Sequence, residues 1–438
     1  MDKLIINGMV PLNGEVTVSG AKNAVLPMLC ASVMVGSGSV VLKNIPHLHD
    51  VTTTVRLLRS MGLSVTLDDN MNIELDPSTI RSFYAPYDLV KTMRSSILVL
   101  GPLLSKFGQA KVSLPGGCAI GTRPVEMHLD ALTKLGASIK IENGYITATA
   151  TKLVGTDINF PKSTVTGTEN ILMASTLAEG NTVIYNAAKE PEVIDLGNFL
   201  NKMGASITGH GTDTIKIKGV SELKGVSYSA LPDRIETGTF LVAAAITGGK
   251  ITVKNTIPEH VETIVQKLKE SGAKISSSKT SITLDMEGVK PKPVNIETGA
   301  YPLFPTDMQA QITALNTIAD GTSIIKENIF ENRFMHVQEM TRMGAEIRLE
   351  KNCAIISGVD NLVGAPVMAT DLRASASLIL VGLAAKGTTE IERIYHIDRG
   401  YDCIEEKLRQ LGADIISCLL YTSPSPRDRQ KYRMPSSA

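Results

Sequence analysis

The feature that most constrains the fold is a short phrase that recurs six times along the chain. Each copy is the end of a helical stretch, then a glycine that is usually followed by alanine, then an apolar strand. The glycines are 68 to 74 residues apart and are Gly62, Gly136, Gly204, Gly272, Gly344 and Gly412. Glycine in this position ends a helix and turns the chain into the next strand. A repeat this regular predicts six copies of one α/β unit.

A second, more apolar helix precedes each of these glycines. The six stretches are rich in Ala, Ser and Gly, so we expect them to be buried, whereas the helices that end at the glycines carry Lys, Glu and Arg. Predicted strands at 182–188, 251–256 and 322–328 closely follow the buried helices. A unit of about 70 residues is too small to bury two helices alone. We therefore predict two domains, each with three units around a common centre, helices inside and sheets outside.

Composition narrows the function classes. The 438 residues carry 44 basic and 44 acidic side chains, and this balance argues against a nucleic-acid partner. The longest apolar runs are too short to cross a bilayer, and no signal-peptide core precedes Gly8 and Pro11. The five cysteines are scattered without C-x-x-C spacing, which favours neither a disulfide framework nor a metal site. We expect a cytoplasmic protein with reduced thiols, and the sequence leaves its oligomeric state open.

Charged residues recur at the starts of the apolar helices and in matching loops. Each pair alone is compatible with an ordinary surface charge or salt bridge. Repeat symmetry would bring them to one cleft, where several cations favour a substrate with a phosphate and a carboxylate. The pairs are Lys22 with Asn23, Lys91 with Arg94, Asp371 with Arg373, Glu331 with Arg333, and Asp398 with Arg399.

Two further residues have alternative interpretations. Asp307 stands just before a buried helix, either as its N-cap or as a carboxylate that takes a proton from a substrate hydroxyl. Cys118 lies in PGGCAIGTRP, where the glycines predict an exposed, mobile loop and Arg123 would favour the thiolate. A buried structural cysteine is the alternative. Without a neighbouring histidine, Cys118 better suits proton delivery or addition to an activated alkene than protease-type catalysis.

Together these stretches resemble the UDP-N-acetylglucosamine 1-carboxyvinyltransferases of the enolpyruvyl transferase family. The resemblance covers residues 1 to about 417, on motifs that occur in order. They are SGAKNAVLP, KTMRSSI, PGGCAIGTRPVEMH, PDRIETGTFLVAAA, FPTDMQAQ, FENRFMH, DLRASASLIL and YHIDRGYDCIEEKLRQLGA. The family has two inside-out α/β barrels of three repeats each. This implies a first domain at 22–229 and a second at 1–21 plus 230–417. We interpret residues 418–438, rich in Ser, Pro and Arg, as a disordered or foreign tail.

The resemblance implies transfer of the enolpyruvyl group of phosphoenolpyruvate to the 3′-hydroxyl of UDP-N-acetylglucosamine, the first committed step of peptidoglycan synthesis. Neither a metal nor an organic cofactor is implied. Cys118 would protonate the alkene or form the covalent adduct, and fosfomycin would alkylate it. Asp307 would act at the sugar hydroxyl. Lys22, Arg123 and Arg399 would hold phosphoenolpyruvate, and we count Lys22 and Arg399 as catalytic with Cys118 and Asp307.

The resemblance also implies a set of substrate-binding residues around this centre. They are Asn23, Arg94, Arg123, Pro124, Val125, Glu126, Met127, Lys162, Ser163, Thr164, Val165, Ile329, Arg333, Asp371 and Arg373. One stretch departs from the family: in KSTVTGTEN, Thr164 and Thr166 occupy positions more often held by Ser and Gly. The alternatives are the sister transferase that acts on shikimate 3-phosphate, away from which PGGCAIG and FPTDMQAQ point, and a non-catalytic paralogue that binds a nucleotide sugar.

Overall fold

Six four-stranded sheets, one for each predicted repeat, lie in the part of the chain that the structure describes. This computed structural model describes residues 3–68, 72–91, 93–114 and 125–418. Each of the six sheets has the same pattern: one edge strand runs parallel to its neighbour, and the other two pairs of neighbouring strands are antiparallel. This identity of topology confirms the repeat that the glycines predicted.

The first three sheets are built almost wholly from residues 40–229. With strands numbered in chain order, their spatial orders are β16 (Ser227–Ser229), β4 (Val40–Lys43), β6 (Ile73–Asp76), β5 (Ser64–Leu67); β7 (Tyr84–Ala85), β8 (Gln109–Ser113), β10 (Tyr145–Thr149), β9 (Ser138–Glu142); and β11 (Asp157–Asn159), β12 (Asn181–Tyr185), β14 (Thr214–Lys218), β13 (Ser206–Thr208). A short ribbon joins β3 (Val35–Ser37) to β15 (Leu223–Lys224).

The other three sheets combine the C-terminal repeats with the first strands of the chain. Their spatial orders are β2 (Asn13–Thr17), β17 (Lys250–Lys254), β19 (Ser281–Asp285), β18 (Lys274–Ser277); β20 (Ile296–Glu297), β21 (Thr322–Lys326), β23 (Cys353–Ser357), β22 (Glu346–Glu350); and β24 (Pro366–Met368), β25 (Thr388–Glu392), β1 (Lys3–Asn7), β26 (Asp414–Cys418). Cys418, which we assigned to the tail, therefore ends a strand opposite Lys3. Residues 419–438 lie outside the described residues.

The helices fall into the two predicted classes. The buried ones pack against each other: α1 (Lys22–Ala31), α4 (Leu100–Phe107) and α6 (Val165–Thr176) in one group, α8 (Arg234–Ile246), α10 (Gln309–Asn316) and α12 (Leu372–Ala384) in the other. The helices that end at the repeat glycines are α2 (His49–Ser60), α5 (Glu126–Lys134), α7 (Pro191–Lys202), α9 (Glu262–Glu270), α11 (His336–Arg342) and α13 (Ile404–Gln410). The short α3 spans Tyr87–Val90, and 3₁₀ turns span Ser32–Met34, Pro77–Thr79, Arg94–Val99, Pro258–Val261, Thr306–Met308 and Ile394–Arg399.

One predicted helix is divided. The stretch KTMRSSILVLGPLLSKFG forms the 3₁₀ turn Arg94–Val99 and then α4, rather than a single α-helix. Pro102 explains the break because it has no N–H to donate to the carbonyl of Leu98 one turn earlier.

Two hydrophobic cores divide the described chain. One is formed by residues between Ala21 and Leu231, the other by residues 4–18 together with residues from Ile235 to Ile415. We propose on this basis that the domains are 22–229 and 1–21 plus 230–417. No helix in the described ranges is long and apolar enough to cross a bilayer.

The chain crosses between the cores twice, and the two crossings are bonded to each other. Ala21 N donates to Leu231 O at 2.8 Å, and Asp233 N donates to Ser19 O at 2.9 Å. Immediately after the second crossing, Arg234 Nε donates to Glu192 Oε1 at 3.0 Å, and both side chains are buried. The crossings therefore form one short, buried connection.

The six repeat glycines all have positive φ, between 92° and 108°, which confirms the predicted helix ends. We expect Gly204→Ala to cost about 1–2 kcal/mol of unfolding free energy from backbone strain alone, because nothing lies within 4 Å of its added Cβ. Gly62→Ala should cost about 1–3 kcal/mol more, because its Cβ would lie 2.6 Å from Thr79 O. Urea denaturation measures both losses. Equal losses would contradict the steric contribution at Gly62.

Candidate active site

A buried carboxylate links the two cores at one point. Asp50, in the first turn of α2, places Oδ2 3.2 Å from Lys22 Nζ and Oδ1 2.9 Å from Arg399 Nε. The side chains of Lys22 and Asp50 are 8% and 5% exposed, and that of Arg399 is 32% exposed. Lys22 begins α1, and Arg399 ends the 3₁₀ turn of the last repeat. The structure brings Lys22 and Arg399, which the resemblance assigns to one substrate, to the same carboxylate, and sequence reasoning missed that carboxylate, Asp50.

The electrostatics of this group favour an added anion. Burial lowers the pKa of Lys22, Asp50 opposes that effect, and the guanidinium groups of Arg373 and Arg399 lower the pKa further. Burial alone would raise the pKa of Asp50, but Lys22 and Arg399 outweigh it and hold that pKa below its usual value. One carboxylate thus compensates two adjacent cations, with the Arg373 guanidinium also within electrostatic reach. A phosphate or carboxylate ligand would meet a surplus of positive charge here.

A second group forms around Asp307. Arg333 Nη2 lies 2.7 Å from Asp307 Oδ1, and Arg373 Nε lies 3.4 Å from Oδ2. Both guanidinium groups are buried, while the Asp307 side chain keeps 28% of its surface exposed. The guanidinium of Arg373 also stacks near the ring of Tyr401, at 5.3 Å from its centroid. Two guanidinium groups therefore hold the carboxylate, and part of its side chain stays exposed.

Asp307 is not a helix cap, so the N-cap alternative is wrong. It lies within the 3₁₀ turn Thr306–Met308, and no side chain caps either that turn or α10. Asp371 does cap a helix, because it precedes α12 and its Oδ1 accepts from the backbone N of Arg373 at 2.8 Å and of Ala374 at 3.0 Å. Asp371 thereby fixes the turn that carries Arg373.

Ile329 joins the Asp307 group through Glu327, a residue that sequence reasoning missed. Ile329 N donates to Glu327 Oε1 at 2.8 Å, and Thr306 Oγ1 donates to Glu327 Oε2 at 2.8 Å. Arg333 Nη1 in turn donates to Thr306 Oγ1 at 3.2 Å. The exposed Ile329 side chain, 43% accessible, therefore stands on a loop that is bonded to the residue before Asp307.

The segments expected to hold the nucleotide sugar lie at two helix starts. Glu126 and Met127 open α5 just after Val125, and Thr164 caps α6, where its Oγ1 accepts from Gly167 N at 3.3 Å. Lys162 and Ser163 are exposed just before that cap, and Val165 is half-buried. Backbone N–H groups at a helix N-terminus are suited to anions such as a diphosphate.

The remaining predicted residues divide into two sets. Asn23 is an exposed side chain in the otherwise buried α1, and Arg94 begins its 3₁₀ turn half-buried. Cys118, Arg123 and Pro124 lie outside the described residues. Within the described ranges, no three His, Cys, Asp or Glu side chains are grouped so that they could hold a metal ion.

Asp50 and Glu327 escaped sequence reasoning for different reasons. Asp50 gives the signal of an ordinary acidic residue in a first helical turn, and its contact with Arg399 spans 349 residues of sequence. Glu327 lies near the end of the predicted strand 322–328, where a carboxylate is typical of a solvent-exposed strand end. Only the fold brings each of them to its partners.

Comparison with known proteins decides the family. The sequence model of EPSP synthase, or 3-phosphoshikimate 1-carboxyvinyltransferase, matches residues 6–408. The chain belongs to this 1-carboxyvinyltransferase family. Within the family it is 60% identical over 415 residues to a UDP-N-acetylglucosamine 1-carboxyvinyltransferase of Hydrogenovibrio crunogenus, covering 95% of this chain and 99% of that protein. Its counterparts in Ruthia magnifica and Coxiella burnetii are 61% and 59% identical, each covering 95% of this chain and 99% and 96% of those proteins.

Solved structures agree on the fold. The enolpyruvyl transferase NikO from Streptomyces tendae superposes with a TM-score of 0.85 at 24% identity, over 95% of this chain and 98% of that one. EPSP synthase from Acinetobacter baumannii superposes with a TM-score of 0.75 at 18% identity, over 96% and 100%. These superpositions confirm the predicted fold class, two inside-out α/β domains of three repeats each.

The bridging role of Asp50 can be tested by Asp50→Asn. Removing the charge leaves Lys22 and Arg399 adjacent without compensation, so the unfolding free energy should fall by about 2 kcal/mol, less than for a fully buried pair because Arg399 is partly exposed. Inorganic phosphate should then stabilise the variant more than the wild type. Urea titrations with and without phosphate measure this. Equal stabilisation of both proteins would contradict an anion site next to Asp50.

Proposed function

We propose that the enzyme transfers the enolpyruvyl group of phosphoenolpyruvate to the 3′-hydroxyl of UDP-N-acetylglucosamine and releases phosphate. The single observation that carries the proposal is the placement of one partly exposed carboxylate, Asp307, beside buried cations. High identity over nearly the whole chain to UDP-N-acetylglucosamine 1-carboxyvinyltransferases supports the same acceptor. The product is the first committed precursor of peptidoglycan, and we place the enzyme in the cytoplasm.

The first half of the reaction adds the sugar across the alkene. A proton is delivered to the methylene carbon of phosphoenolpyruvate, and the sugar 3′-oxygen forms a bond to the adjacent carbon, which bears the phosphate. Asp307 takes the proton of the attacking hydroxyl, since its carboxylate is held by Arg333 and its side chain is partly exposed. We assign proton delivery or adduct formation to Cys118, on the sequence motif.

The second half restores the alkene. A proton leaves the new methyl group, and the C–O bond to phosphate breaks, so that enolpyruvyl sugar nucleotide and inorganic phosphate are formed. Lys22 and Arg399 stabilise the phosphate as its charge grows, and Arg123 completes this set on the sequence motif. The buried cations meet that charge without solvent reorganisation.

The remaining proposed residues bind the acceptor. The N–H groups at the start of α6, with Lys162, Ser163, Thr164 and Val165, would meet the diphosphate, and residues 123–127 would lie along the nucleotide. Asn23 and Arg94 would line the cleft, Ile329 would cover the nucleotide near Asp307, and Arg373 and Asp371 would support the wall behind the sugar.

Acceptor choice is tested by phosphate release. We expect phosphate release with phosphoenolpyruvate and UDP-N-acetylglucosamine together, and none with either substrate alone. Shikimate 3-phosphate should not replace the sugar nucleotide. Turnover with shikimate 3-phosphate instead would overturn the proposed acceptor, and absence of turnover with both acceptors would indicate a non-catalytic binding protein.

The role of Asp307 is tested by Asp307→Asn. The amide keeps the shape but cannot take a proton, so kcat should fall by about 10²- to 10⁴-fold while the KM values change little. Asp360→Asn is a matched control, because this carboxylate is exposed on the surface, where it pairs with Lys290 at 3.0 Å. A fall in kcat no larger than that of the control would remove Asp307 from the proton transfer.

The role of Cys118 is tested with fosfomycin. Cys118→Ser should abolish covalent labelling, measured by intact-protein mass spectrometry, because the serine hydroxyl is a far weaker nucleophile than a thiolate. Binding of UDP-N-acetylglucosamine, measured by calorimetry, should be nearly unchanged. Undiminished labelling of the variant would assign the reactive thiol to another cysteine.

A further inference from the structure

A buried chain of hydrogen bonds connects the starts of the two helices that flank the proposed nucleotide site. Gly101 N donates to Asn170 Oδ1 at 2.8 Å, and Asn170 Nδ2 lies 3.0 Å from Ile97 O and 3.1 Å from His128 Nδ1. His128 Nε2 lies 3.4 Å from Thr166 Oγ1. His128 is 4% exposed and Asn170 is fully buried. This series of hydrogen bonds therefore runs from the interior of the first core to the first turn of α6.

The directions of these bonds follow from the two fixed backbone groups. Gly101 N–H can only donate and Ile97 C=O can only accept, which identifies the oxygen and the nitrogen of the Asn170 amide. The amide nitrogen can only donate, so His128 Nδ1 must be the unprotonated nitrogen of a neutral ring. The proton then resides on Nε2, which donates to Thr166 Oγ1. Burial lowers the pKa of His128 to about 4, in agreement with a neutral ring.

Thr166 and His128 lie in the first turns of α6 and α5, respectively. The segment 125–127 stands directly before His128, and the cap residue Thr164 stands two positions before Thr166. The hydrogen bond between the two side chains, at 3.4 Å, therefore links the two helix starts directly. A glycine, which the resemblance leads one to expect at position 166, could not make this bond.

We propose that Thr166 is a positioning residue that sets the separation of the two helix starts for the nucleotide sugar. The inference rests on the proposed function and deepens it, since the ligand it concerns is the nucleoside diphosphate part of that substrate. Groups that are already held in the bound arrangement lose less freedom on binding, and affinity rises accordingly. In this role the Thr166 side chain supports the site for the diphosphate and does not block the binding of that group.

Three variants separate the hydroxyl from the rest of the side chain. Thr166→Val keeps the shape and loses the hydroxyl, Thr166→Ala loses both, and Thr166→Ser keeps the hydroxyl. Loss of one hydrogen bond of about 1 kcal/mol corresponds to roughly a fivefold change in binding. We expect the Val and Ala variants to raise the Kd and KM for UDP-N-acetylglucosamine about fivefold. The kcat and the KM for phosphoenolpyruvate should stay unchanged, and the Ser variant should behave like the wild type.

Calorimetry gives the Kd and phosphate release gives the kinetic split, with unfolding midpoints recorded to confirm that each variant folds. Binding by the Val and Ala variants as tight as that of the wild type would overturn the inference, and so would an equal loss in the Ser variant. If the wild type itself failed to bind UDP-N-acetylglucosamine, the proposed function would fail first.

A second measurement tests the chain of bonds in the wild type, without any variant or substrate. The ¹⁵N shifts of the His128 ring should show a neutral imidazole protonated on Nε2, with no titration between about pH 5.5 and 8. A ring protonated on Nδ1, or one that titrates in this interval, would contradict the bond directions and with them the inference.

Discussion

The architecture depends on one packing constraint: a repeat unit of this size cannot cover its own apolar helix. Three such helices cover one another inside each domain, and the sheets face outward. Helices that converge in this way also bring their N-terminal ends to a common face. Lys22, Thr164 and Arg373 each stand at the start of such a helix, and Asp307 stands just before another. The site is a consequence of how the cores are filled.

Placing cations at helix N-termini carries an electrostatic cost, because those termini already bear partial positive charge. The protein offsets this cost with carboxylates on other elements. Asp50 compensates Lys22 and Arg399, and Asp307 compensates Arg333 and Arg373. In the Asp50 group the compensation is incomplete, since one carboxylate pairs with two cations. The remaining positive charge would favour an anionic substrate, and Asp50 joins Lys22 of the first core to Arg399 of the second.

Sequence reasoning succeeded where the signal was local and repeated. Gly204 and its five equivalents predicted the helix ends, and the spacing of the apolar stretches predicted the cores. It failed where a contact joins distant parts of the chain. Nothing near Asp50 in the sequence reveals Arg399, and nothing near His128 reveals Thr166 or Asn170. For Asp307 the sequence left two roles open, and only the observed backbone, in which Asp307 lies inside a 3₁₀ turn that has no side-chain cap, excluded the cap.

We propose that the Lys22 group and the Asp307 group act on one pair of substrates in one cleft. The most direct measurement is an experimental structure of the enzyme with phosphoenolpyruvate and UDP-N-acetylglucosamine bound, trapped in an inactive variant such as Cys118→Ser. We expect the phosphate to contact Lys22 and Arg399, and the sugar 3′-oxygen to lie within about 3.2 Å of an Asp307 oxygen. A 3′-oxygen that points away from Asp307, or a phosphate bound apart from Lys22 and Arg399, would contradict it.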